Sequence, residues 1–230
     1  MATETSDAGS RQGAPDVHVV LRPIGAPVTL GLSGLGIASV VESGLDLRWI
    51  PAGQSTQVGL ILVAVPFVLQ LLASIWAYLA RDGASGAALG ILATTWLAIG
   101  LIHISSGAGS NSANGILLVS AAAVLAASAF TVALSNTLAG CVFLIAAARF
   151  AVEGIYQLGA PAAWRDASGI LGLALAALAL YAVLAFDLEG QARRPLLPTF
   201  RRRRAALSGG TGAPPVEDGI YAEAGVRQSS

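Results

Sequence analysis

Lysine is absent from this chain, cysteine and methionine occur once each, and only 11% of the residues are charged, where a soluble domain carries about a quarter. The scarcity of charge excludes an ordinary soluble protein. The single cysteine, Cys141, excludes an intrachain disulfide or a multi-cysteine metal site, and in its apolar stretch it reports nothing about redox compartment. Thirteen arginines balance thirteen acids, so no bulk electrostatic case exists for a nucleic-acid partner. Paired-carboxylate, metal-ligand and nucleophile–base spacings are missing, His-Glu-x-x-His and Gly-x-Ser-x-Gly among them. That argues against an enzyme and leaves no cofactor a place. The opening 25 or so residues, with Glu4, Asp7, Arg11, Asp16 and Arg22, lack an apolar core followed by a small-residue cleavage site. A cleaved signal peptide is therefore not expected.

What the chain does have is apolar surface: 55% of 230 residues and a mean hydropathy of +0.71. At about 20 apolar residues per crossing, six spans are predicted, roughly 28–45, 58–80, 86–105, 115–134, 137–158 and 167–186. The expected fold is an all-α, polytopic membrane protein: a polar segment 1–26, a six-helix domain 27–190, and an Arg-rich, then disordered tail 191–230. The links are short and carry turn residues, as at Pro51 and Gly53, at Arg81-Asp82-Gly83 and at Ser135-Asn136, so neighbouring spans run antiparallel. One side collects nine arginines (Arg11, Arg22, Arg81, Arg193, Arg194 and Arg201 to Arg204) and the other only Arg48 and Arg165. Both termini are thus expected in the cytoplasm, in an inner or plasma membrane. Trp49 and Trp164 then fall at the outer boundary, and Trp76 and Tyr78 at the inner one. The run Arg201 to Arg204 is read as a topology anchor that also attracts anionic membrane lipids.

The first span opens on Pro27 as a helix start, with Gly31, Gly34 and Gly36 close behind. Each glycine costs about 1 kcal/mol against alanine in a helix interior. Three so near together call for a compensating role, either close helix packing or passage of a small solute beside bare backbone. In the third span Thr94, Thr95 and Trp96 stand at mid-membrane. There the Trp96 N–H forfeits the interface and should face protein or a water-filled path. In the fifth span Arg149, Glu153 and Gln157 recur at four-residue intervals and share one helix face. A lone charge in the bilayer costs at least about 2.5–3.5 kcal/mol, so that face should point into the bundle with Arg149 paired to Glu153, either as a structural ion pair or with a role in anion attraction or gating. Glu42 and His103, near the outer ends of the first and third spans, read as solvated helix-end residues, with sensing of external pH as the alternative. Gly169, Gly172, Ala176 and Ala179 make a small face suited to helix contact within or between subunits.

Pro27, Leu30, Gly31, Leu32, Gly34 and Gly36, together with Gly169 to Gly172, Tyr181 and Leu197-Pro198, resemble the acetate uptake transporter family, which includes the succinate-acetate permeases. That family opens its first span with Asn-Pro-Ala-Pro-Leu-Gly-Leu, then Gly-Phe-Gly, and closes on Leu-Pro; the resemblance covers roughly Pro27 to Pro198. The chain departs from the pattern at the leading Asn, at Thr29, at Leu35 where the family has phenylalanine, and at Ile91-Leu92-Ala93-Thr94 where it has Phe-Thr-Ser-Tyr.

The resemblance implies a six-helix protomer with its own central path, assembled as a homo-hexamer. It would move small monocarboxylates such as acetate, with or without a proton, or another small solute. On this reading Pro27, Leu30, Gly31, Leu32, Gly34, Leu35, Gly36, Thr94 and Trp96 line the path. Leu35 and Thr94 would make its constriction wider and more polar and so alter its selectivity. Two other readings stay open: a channel for neutral amides or urea, and a non-transporting scaffold whose tail organises lipid or recruits a partner.

Overall fold

The computed structural model describes residues 26–107, 109–192 and 197–198, with the backbone alone at 190–192. The stretch before Ala26 and most of the predicted tail, Arg201 to Arg204 included, lie outside the described residues. Every element in them is helical: α1 (Pro27–Asp46), a 3₁₀ turn (Ala52–Gln54), α2 (Ser55–Ala64), α3 (Pro66–Leu79), α4 (Gly83–Ser106), α5 (Ser112–Ser135), α6 (Thr137–Gln157) and α7 (Ala162–Ala192). Six stretches are long and apolar enough to cross a membrane, with the 3₁₀ turn, α2 and α3 forming one of them. The fold is that of an all-α, multi-pass membrane protein.

Local chemistry explains the boundaries. Pro27 and Pro66 occupy the first turns of α1 and α3, where a missing N–H costs nothing. Asp82 accepts the Ser85 N–H at 3.1 Å, and Asn111 accepts from Ala113 and Asn114 at 3.0 and 3.2 Å. Asn136, the one-residue link between α5 and α6, ends the first and caps the second by accepting the Ala139 N–H. The second crossing is interrupted at Val65 (φ −113°, ψ −74°), because Pro66 cannot donate to the preceding turn. The sixth begins earlier than predicted, so Trp164, Arg165 and Asp166 lie in the opening turns of α7 and not in a loop.

The crossings close into a ring in chain order: α1 packs on α3, α2 and α3 on α4, α4 on α5, α5 on α6, α6 on α7, and α7 back on α1. Two crossings need glycine on both helices. A Cβ on Gly59 would fall 2.5 Å from the Gly100 carbonyl oxygen, and one on Gly154 would fall 3.0 Å from that of Gly115. Backbone-to-backbone approach of this kind replaces the hydrophobic drive that lipid cannot supply. Ile116, Phe130, Leu144 and Ile170 are exposed on the outside, and Trp49, Trp164, Trp76 and Tyr78 are exposed towards the helix ends. Leu32, Leu35, Leu92, Trp96, Phe143 and Phe150 are buried inside.

Candidate functional site

One end of the ring, where α1, α4 and α6 finish and α5 and α7 begin, gathers most of the buried polar groups. Helix α1 brings Ser39, Glu42, Ser43 and Asp46 to it on one face, all buried, as three- and four-residue spacing requires. Glu42 Oε1 meets Nε2 of His103 from α4 at 3.0 Å, with both side chains at least nine-tenths buried. Asp46 sits between two guanidinium groups: Arg149 Nη2 lies 3.5 Å from Oδ2, and Arg165 Nε lies 3.5 Å from Oδ1. Arg165 also donates to the Leu45 carbonyl at 2.8 Å, tying the start of α7 to the end of α1. Glu153 accepts from Gln157 Nε2 at 2.7 Å, and Gln157 Oε1 accepts the Asn111 N–H at 2.8 Å, so α6 holds the loop that starts α5.

Below this layer Arg149 runs over the Trp96 ring, its Cζ 5.5 Å from the centroid. Trp96 in turn meets Phe150 edge-on at 5.4 Å and 72°. A small cavity lies inside the ring, lined by Glu42, Trp96, Asn114, Arg149 and Glu153 with Ile99, Leu118 and Phe150. Its walls come from α1, α4, α5 and α6. Arg149 stands eight residues before the end of α6, about 12 Å along the helix at about 1.5 Å per residue, so the cavity reaches well into the crossing. Among the described residues no His, Cys, Asp or Glu group has the composition of a metal site.

The expected site residues separate. Trp96, Arg149 and Glu153 line the cavity. The expected Arg149–Glu153 ion pair is replaced: Arg149 pairs with Asp46 and Glu153 with Gln157, because α1 brings a carboxylate across the ring and Gln157 lies one turn beyond Glu153 on the same face. The opening run of α1 lies elsewhere. A Cβ on Gly31 would strike Leu89, one on Gly34 would crowd Leu69 and Gln70, and one on Gly36 would touch Leu180. These glycines seat neighbouring side chains. Leu32 and Leu35 are core residues, and Pro27 and Leu30 are half-buried. Thr94 is exposed on the outer surface, with its hydroxyl donated to the Gly90 and Ile91 carbonyls. Glu42 and His103 are a buried pair and not the solvated helix ends expected of them. Glu42 and Asp46 repeat the four-residue spacing of Arg149 and Glu153, a signal the sequence carries, whereas nothing in it marks Asn114 as a cavity wall.

This ring of helices has a known counterpart. The bacterial acetate channel SatP has the same fold, with a TM-score of 0.69 and 20% identity over 77% of this chain and 99% of that chain. No protein-family model and no curated protein sequence matches the chain. The likeness is one of architecture, and it extends across the whole of the known channel. Within it Tyr181 and Pro198, two residues of the resemblance at the far end, are in contact: the tyrosine hydroxyl donates to the proline carbonyl at 3.1 Å.

Proposed function

We propose that this chain is a channel or carrier for small monocarboxylates such as acetate, with the space inside each ring of helices as the path. The observation that carries the reading is the buried polar cavity at Arg149 and Trp96, inside a fold shared with an acetate channel. Buried ionisable groups in a membrane crossing are costly and mark solute or ion paths by default. On the arginine count the Asp46 end would face outside and both termini the cytoplasm, so a solute arriving from outside would reach Glu42, His103 and Arg149 first. Assembly into a hexamer and contact of the arginine-rich tail with anionic lipid belong to the same proposal. Leu35, fully buried in the ring, is the position at which selectivity would differ from that of relatives with phenylalanine there.

Radiolabelled acetate uptake at two external pH values, in cells with and without the protein, tests the proposal. Uptake well above the control supports it. Rates equal to the control for acetate, lactate and succinate alike overturn it.

A further inference from the structure

Arg149 reaches Asp46 by passing a point where α7 has no side chain. A Cβ on Gly172 would fall 2.7 Å from Arg149 Nε and 3.2 Å from its Cζ, and would collide with the Ser43 hydroxyl of α1. Ala176 and Ala179 carry methyl groups on the buried face of α7, whereas at 172 even a methyl is excluded. Glycine is disfavoured against alanine in a helix interior, and a side chain forced into a fitted core displaces whatever can move. Here that is the arginine, a long side chain lying beside fixed backbone.

The guanidinium has a second carboxylate to go to. Glu153 stands one turn along the same face of α6 and lines the same cavity, the spacing of a local ion pair. Base before acid is the weaker order for such a pair, and Glu153 instead accepts from Gln157 at 2.7 Å and from the Ser168 hydroxyl. Ser168 lies one turn before Gly172, so one face of α7 offers a hydroxyl to the acid and a slot to the base. The exchanged arrangement is electrically complete as well. Asp46 would keep Arg165, 3.5 Å away, while Arg149 and Glu153 paired within α6. What the exchange loses is the tie between α6 and α1.

We propose that Gly172 is the positioning residue that selects Asp46 over Glu153 as the partner of Arg149. Its bare backbone lets the arginine lie across to α1, and a side chain there returns the guanidinium to its own helix. The tie across the Asp46 end of the ring is thereby set by a residue that has no side chain of its own. This choice of partner holds whether or not a solute crosses.

Thermal midpoints of the detergent-solubilised full chain test it in two backgrounds. In the natural chain Asp46→Asn strips two guanidinium groups of their carboxylate, whereas Glu153→Gln leaves Arg149 paired. The first should lower the midpoint at least about twice as far as the second. In the Gly172→Ala background the order should reverse, with Glu153→Gln the more damaging by about twofold or more. A side chain that merely overpacks predicts additivity, both losses carrying over unchanged, and that result overturns the proposal. So does a natural chain in which Glu153→Gln costs as much as Asp46→Asn. Where Gly172→Ala alone does not fold, combining it with Ser43→Ala removes the nearest obstacle and leaves Arg149 as the group displaced; the same reversal is expected there. A combined variant that still does not fold also overturns the proposal, since it puts the cost of a side chain at 172 on packing and not on the choice of partner.

Discussion

The two halves of α1 solve the same problem by opposite means. From Pro27 to Gly36 the helix removes side chains so that Leu89, Leu69 and Leu180 can sit against its backbone. From Ser39 to Asp46 it carries polar side chains that reach His103, Arg149 and Arg165 on other helices. Lipid gives helices no hydrophobic reason to associate, so close packing and interhelical polar contacts are the available glue. One half of α1 uses the first and the other half the second. The comparison teaches that a glycine run in a membrane helix and a string of acids in the same helix are two kinds of adhesive, and that the polar half borders the cavity at Arg149 and Trp96.

Removing Arg149 should break the polar half most severely. Arg149→Leu leaves Asp46 with Arg165 alone, and uncovering a buried charge costs about 3–5 kcal/mol. The expected result is a large drop in the thermal midpoint of the detergent-solubilised protein, partly restored by adding Asp46→Asn. In the glycine half, Gly31→Val drives a side chain into Leu89 and should cost about 1–3 kcal/mol by overpacking. Gly36→Ala meets nothing closer than 3.4 Å and should stay within about 0.5 kcal/mol; equal losses at the two positions would dissolve the packing account. Glu42→Gln keeps the shape of the pair with His103 but gives up its charge, a loss of about 1 kcal/mol for one hydrogen bond, read from the same midpoint. The smallest effect belongs to Arg48→Ala. Its 2.9 Å bridge to Asp166 joins side chains 56% and 43% exposed, so the change should lie between zero and about 1 kcal/mol.

Much of the architecture was legible because its causes are local. Apolar runs of crossing length and the caps at Asp82, Asn111 and Asn136 act within a few residues of themselves, so six crossings and their antiparallel order follow from reading along the chain. Part of the site was legible too. Arg149, Glu153 and Gln157 share a face by spacing alone, and Trp96 at mid-crossing needed a protein neighbour. The site failed to be readable where a partner lay far off in sequence. His103 and Glu42 are 61 residues apart and Arg149 and Asp46 are 103 apart; taken alone, Glu42 and His103 read as helix-end residues and Arg149 as half of a local pair, and nothing singled out Asp46. Thr94 shows the reverse error. Its position in the middle of a span pointed inward, but a single residue's step around the helix put Thr95 inside and Thr94 outside.

The amino-acid sequence by itself determined that this chain enters a membrane, how many times it crosses, and that its intramembrane charges must find partners, since hydrocarbon solvates neither backbone nor charge. Tertiary structure alone decided which partners those are. Arg149 could satisfy a carboxylate one turn away or one across the ring, and helix rotation and ring closure chose Asp46. That choice left Asn114 and Trp96 with unbonded groups beside one small space, because packing helices into a ring fixes every side chain's direction at once, whereas sequence spacing fixes only which residues share a face.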